Sequence, residues 1–153
     1  MKIVTRMLAL LLLSMPLTLF AQTSDEDQLS MEAVKANKKL IVARNMKLSD
    51  QEKKKFWPVY ETYQDALRKV DEKAITLIED YAKHYESLSG DKASKLLKQY
   101  FKVEEERLKL QQSYVKKFEK ALPPQKVVRY YQIENKLDAI IDYELVEIIP
   151  LAK

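Results

Sequence analysis

From Phe56 to Leu88 the large side chains fall in an unbroken alternation of four- and three-residue steps: Phe56, Tyr60, Tyr63, Leu67, Val70, Ala74, Leu77, Tyr81, His84 or Tyr85, and Leu88. Only a 3.6-residue period returns these positions to one face. A rhythm this long predicts a helix packed along its whole length, as in a bundle or coiled coil. At ~1.5 Å per residue, that helix is roughly 55–60 Å long. The chain has one glycine in 153 residues. Sheets need turns every few residues, so long segments without glycine or proline favour helices.

The punctuation of the chain then sets the helix boundaries. A first helix is predicted from Ser30 to Met46, with Leu29, Ala33, Ala36, Leu40 and Ala43 as a narrow stripe of mostly small residues. Ser49-Asp50-Gln51-Glu52 is a capping-box pattern that opens the second helix, with Leu48 placed to staple onto its first turn. Pro58 removes one helix hydrogen bond and predicts a kink near Lys54–Trp57. The second helix extends to Leu88. Gly90 then suits the position just past a helix end, and Asp91 suits an N-cap. The third helix runs to Leu122 with Leu97, Phe101, Leu108, Val115, Phe118 and Leu122 on one face. Glu104 and Gln111 share that face. A second row, Leu96, Tyr100, Val103, Leu110 and Tyr114, widens it. Pro123-Pro124 starts the fourth helix, from Gln125 to Ile148, and Pro150 ends it. Short connections imply antiparallel neighbours. The expected fold is all-α: a long antiparallel helical hairpin flanked by two shorter helices.

The N-terminus predicts export. Lys2 and Arg6 precede an apolar run from Met7 to Phe20, and Ala21 precedes the polar Gln22-Thr23-Ser24. This order describes a secretory signal peptide, residues 1–21, and the run is short for a membrane span. Residues 22–29 read as a flexible lead and 30–153 as one helical domain. Losing Lys2 and Arg6 takes the formal charge from +4 to +2. An exported chain of such modest charge argues against nucleic acid as a partner. The absence of cysteine excludes disulfides, thiol chemistry and thiolate metal sites.

Little in the sequence points to catalysis. His84, the single histidine, lies four residues after Asp80 and has no second imidazole to complete a metal site. Glu134, Asp138 and Asp142, spaced four apart, read as a solvated acidic stripe. No nucleophile–base pair, P-loop or dinucleotide fingerprint occurs, and one glycine does not build a phosphate-cradling loop. No cofactor is expected.

The aromatic and basic residues are more informative. Nine tyrosines crowd the chain, densest at Phe56-Trp57-Pro58-Val59-Tyr60 and Tyr130-Tyr131. Lysines cluster through the first helix and into Lys53-Lys54-Lys55. Tyrosine and tryptophan pair an apolar body with a polar tip, which suits surfaces where helices meet partners. The candidate partner-binding surface is Phe56, Trp57, Tyr60, Tyr130 and Tyr131 with Lys53, Lys54 and Lys55.

Two stretches carry a resemblance. Met46-Lys47-Leu48-Ser49-Asp50-Gln51-Glu52 runs into Phe56-Trp57-Pro58-Val59-Tyr60-Glu61-Thr62-Tyr63-Gln64. Leu122-Pro123-Pro124-Gln125-Lys126-Val127 is followed by Arg129-Tyr130-Tyr131-Gln132-Ile133-Glu134-Asn135-Lys136-Leu137. These resemble patterns in small exported helical proteins of Gram-negative bacteria. More distantly they are similar to the twice-repeated L-T-x-x-Q motif of the Spy and CpxP group of periplasmic stress proteins. Serine and proline here stand in for the motif's threonine, and the first glutamine arrives one position early. The resemblance implies a helical, periplasmic protein, with ATP-independent chaperone activity of the Spy kind or restraint of an envelope sensor of the CpxP kind. The histidine- or methionine-rich ligand sets of the group's metal sensors are absent.

The expected function is therefore a non-enzymatic periplasmic interaction protein, chaperone-like or envelope-stress regulatory. Its expected partners are protein clients, an envelope sensor or a second copy of itself, with contact to a membrane surface as a further option. A structural, oligomeric coiled-coil module is the alternative, ahead of a small-ligand or metal sensor.

Overall fold

A computed structural model describes residues 37–152. The chain divides into two units, Met1–Asn37 and Lys38–Lys153. The expected signal peptide, the lead, and Leu29, Ala33 and Ala36 of the first stripe lie outside the described residues. The described chain is all-helical, with no strand among the described residues. Helix α1 is described over 37–46. It is followed by α2 (Asp50–His84), α3 (Gly90–Ala121) and α4 (Pro124–Ile148).

Helix α2 begins as its sequence predicts. The Ser49 backbone N–H donates to Glu52 Oε2 at 2.7 Å, and Glu52 N–H donates to Ser49 Oγ at 3.3 Å, closing the capping box. Leu48 packs on the core beside it. The helix continues through Pro58, and Thr62 Oγ1 donates to the Pro58 and Val59 carbonyls at 3.2 and 2.9 Å. Its far end is shorter than predicted. The α-helix stops at His84, a 3-10 turn covers Tyr85–Ser87, and Leu88 turns extended.

The start of α3 is also corrected. Ser89, with extended backbone angles, is the N-cap and accepts from Lys92 N–H at 3.3 Å. Asp91 lies inside the first turn, where its charge meets the positive end of the helix dipole. Gly90 is the first helical residue and has no positive φ. The turn that does need the left-handed region is the one between α1 and α2. There Lys47 sits at φ 47°, directly after the last turn of α1.

The rhythm of α2 buries Phe56, Tyr60, Tyr63, Leu67 and Val70. On α3 the buried residues are Leu96, Val103, Tyr114, Phe118 and Ala121. They mix the two expected rows: Leu96, Val103 and Tyr114 belong to the second, Phe118 and the neighbouring buried Leu122 belong to the first, and Tyr100 of the second row is exposed. Leu97, Phe101 and Leu108 of the first row point outward, 57%, 61% and 53% exposed. The two rows are one residue apart, and the buried face passes from the second row to the first towards the end of the helix. Arg107 reaches Asp71 of α2 at 2.8 Å. The α1 stripe is corrected in the same way: Leu40 and Ala43 are exposed, whereas Val42 and Met46 are buried.

The core is uneven along the bundle. At the end where α1, the start of α2, the end of α3 and the start of α4 meet, aromatic rings interlock. Phe118 stacks at 4.6 Å from Tyr130, and Phe56 lies 5.2 Å from Tyr130 and 5.7 Å from Phe118. Each such side chain contributes about 1.5–3 kcal/mol by leaving water, with a further increment from edge-to-face geometry. Tyr114 donates to the Thr62 carbonyl at 3.1 Å and half-buried Tyr131 to the Gln111 carbonyl at 2.8 Å, whereas the hydroxyl of fully buried Tyr63 has no partner. Towards the hairpin tip the buried residues thin to Val70, Leu96 and Val103, each 7% exposed.

Cations close the turn of α1. Arg129 donates to the Asn45 carbonyl at 2.7 Å and Lys126 to the Lys47 carbonyl at 3.2 Å. Both satisfy carbonyls at the negative end of the α1 dipole. Lys126 also meets Glu52 at 2.6 Å, joining α4 to the capping box of α2.

Candidate functional site

The thin core of the hairpin tip leaves an open, apolar cleft of about 900 Å³. One wall is the second half of α2, with Leu77, Ile78 and Tyr81. Another is the first half of α3, with Leu96, Leu97, Tyr100 and Val103. The last turns of α4 and the tail supply Leu145, Val146, Ile149 and Leu151. Tyr81 donates to the Pro150 carbonyl at 2.8 Å, which fastens the tail across the mouth. Of the exposed apolar residues of α4, Val146, 74% exposed, lines the cleft, while Ile140, Tyr143 and Ile148 are exposed outside its lining. Exposed apolar residues gathered on one surface mark interaction sites more often than singly scattered ones do.

The charges lining the cleft are Glu104, Arg107 and Asp142. Arg107 is paired with Asp71. Burial pushes the Asp71 carboxyl above its ordinary value, while Arg107 pulls it back down. Glu104 and Asp142 are exposed and form no ion pair among the described residues. A smaller hollow of about 420 Å³ borders Leu77 and Val103 with a polar lining that includes Lys73, Asp80 and Glu106.

The residues expected to form a contact surface are divided by the fold. Phe56 and Tyr130 are fully buried and Tyr60 is 3% exposed, so these three hold the core together and leave the surface to others. Burial pushes both the Tyr60 and Tyr130 hydroxyls well above the ordinary phenol range, and the nearby Glu134 charge adds to it. Trp57 is half-buried, edge-on to Phe56 at 5.0 Å and to Tyr60 at 5.2 Å. The Lys39 ammonium of α1 lies 5.4 Å from its ring. Lys53, Lys54 and Lys55 are exposed, with Lys53 paired to Asp50 at 2.9 Å.

The expected acidic stripe on α4 is corrected most at Glu134. It is 1% exposed, not solvated. Its Oε2 accepts from Lys38 of α1 at 2.8 Å and from Gln64 of α2 at 3.1 Å, while Oε1 has no partner. Gln64 also donates to the Tyr130 hydroxyl at 3.3 Å. Burial pushes the Glu134 carboxyl above its usual range against the pull of Lys38 and Gln64. Asp138 is partly exposed at 3.5 Å from Lys38, and Asp142 faces the cleft. One signal could have found Glu134. It stands in the four-three series Val127, Tyr130, Glu134, Leu137 and Ile141, at a position where the rhythm calls for an apolar residue.

His84 faces Asp80, with Nδ1 at 2.7 Å from its carbonyl and 3.3 Å from its carboxylate, and Lys92 holds the same carboxylate at 2.7 Å. No group of three histidine, cysteine, aspartate or glutamate side chains among the described residues is placed to hold a metal ion. No helix among them is long and apolar enough to cross a membrane. Comparison with known proteins finds no matching family model, curated protein or solved structure.

Proposed function

We propose that this chain is an exported, non-enzymatic protein that holds apolar segments of other proteins in the envelope, acting as a chaperone or as a stress regulator. The observation that supports this reading best is the 900 Å³ apolar cleft between the hairpin tip and the end of α4. Scattered apolar side chains are ordinary on any protein surface, whereas a contiguous apolar hollow marks a binding site. The signal-peptide pattern of residues 1–21 and the resemblance to the Spy and CpxP group point the same way.

The test is suppression of aggregation of a chemically denatured client by the purified protein. The wild type is expected to suppress it at near-stoichiometric ratios. Val146→Lys combined with Leu97→Lys, which charges both walls, is expected to abolish the effect while circular dichroism stays unchanged. No suppression by the wild type at several-fold excess counts against the proposal.

A second reading has its own support. Leu97, Phe101 and Leu108 form an outward stripe at coiled-coil spacing along α3, with Glu104 between them and Gln111 following. That stripe suits pairing with another copy of the chain. Light scattering decides it, since a strict monomer removes this reading.

A further inference from the structure

The client-holding reading leaves open what kind of segment the cleft selects, and the charges at its mouth bear on that. The lining is apolar except for Glu104 on the α3 wall, Asp142 on the α4 wall and Arg107 between. Arg107 is committed to Asp71 at 2.8 Å. Glu104 and Asp142 have no ion pair among the described residues, so both walls present an uncompensated carboxylate. Beyond Asp142 the exposed face of α4 adds Glu144 and Glu147, with no basic residue between Lys136 and Pro150.

We infer that the cleft selects client segments in which lysine or arginine flanks apolar residues, and that Glu104 and Asp142 receive those cations. The inference rests on the client-holding reading and adds a charge preference to it. The apolar side chains enter between Leu77, Tyr100, Val103 and Leu145. The long stems of lysine and arginine lie along the apolar walls while their heads reach the carboxylates at the rim. A segment carrying glutamate at the same positions meets like charge on both sides.

Three labelled twelve-residue peptides test this: leucine and valine with lysine at every third position, the same peptide with glutamate at those positions, and the same with glutamine. Fluorescence anisotropy with the purified protein at low salt is expected to rank them lysine, glutamine, glutamate. The first and last should differ on the order of tenfold, the scale of two exposed ion pairs gained against two repulsions. The preference is expected to shrink in high salt. In the double variant Glu104→Gln, Asp142→Asn, both exposed positions, the lysine and glutamate peptides should converge while the glutamine peptide binds as before. Equal affinity of the wild type for lysine and glutamate peptides overturns the charge preference and leaves client holding intact. Retention of the full preference by the double variant overturns the assignment to these two carboxylates. Failure of all three peptides to bind overturns both the inference and the reading beneath it.

Discussion

Lys38 and Glu134 form an ion pair at 2.8 Å that joins α1 to α4 inside the bundle, with side-chain exposures of 12% and 1%. Removing two charges from water is costly, and their attraction offsets this only when the geometry is good. Here one carboxylate oxygen remains unpartnered, so the pair contributes orientation more than net stability. It sets the register of α1 against α4, because Lys38 has no other carboxylate within reach except Asp138 at 3.5 Å. Lys38→Met alone strands a buried carboxylate and is expected to cost about 3 kcal/mol in urea unfolding. The double change Lys38→Met, Glu134→Leu is expected to restore wild-type stability or exceed it. A single variant as stable as the wild type contradicts this account.

A second pairing predicts how stability responds to acid. The Glu52 carboxylate accepts from Lys126 and from the Ser49 backbone N–H, and the two hold its pKa down at about 2. A depressed folded pKa means that the unfolded chain takes up the proton first. The contribution is complete above the ordinary carboxylate value of 4.5 and is lost as pH falls from there towards 2. Glu52→Gln is expected to be less stable than the wild type at neutral pH and to lose less between those two values. Unfolding midpoints measured across that range check it, and parallel pH profiles contradict it.

The chain spends its single glycine where the backbone does not need one. Gly90 has no positive φ, and a Cβ added there meets nothing within 4 Å. Gly90→Ala is therefore expected to stabilise by about 0.4–1 kcal/mol through the unfolded chain. Lys47 is the reverse case, a side chain held at φ 47°. Lys47→Gly is expected to relieve about 1 kcal/mol of left-handed strain, less the entropy that glycine adds to the unfolded chain. Thermal unfolding of the two variants distinguishes them, and a loss at Gly90→Ala refutes the open-space argument.

The helical plan was legible because it rests on local chemistry. The capping box at Ser49, the prolines at 123 and 124 and the rhythm of α2 all act within a few residues of themselves. What remained hidden depends on partners far away in the chain. Whether α3 buries Leu96 or Leu97 depends on how it packs against α2, whose residues stand far earlier in the chain. Glu134 looked solvated because acids at four-residue spacing usually are, and Lys38 that buries it stands on another helix. Phe56 and Tyr60 stand both in the packed rhythm of α2 and, with Tyr130, in the candidate contact surface, because clustered aromatics suit cores and interfaces equally well. Only the convergence of α2, α3 and α4 shows that they meet one another first. The cleft had no local signature, since it arises where the aromatic packing ends while α4 continues.

The single tryptophan, Trp57, stands against the aromatic end of the bundle, far along α2 from the hairpin tip. Its emission therefore reports on the tightly packed half alone. Where buried apolar contacts are few, helices open locally at lower free energy than the whole. Tip amides are thus expected to exchange with deuterium well before those around Phe118. A melt followed by tryptophan would then lag one followed by circular dichroism, and coincident melts would mean that both halves unfold as one. A probe that stays silent while the far half of the molecule opens would make the protein look more rigid than it is, in the very region where a partner would bind.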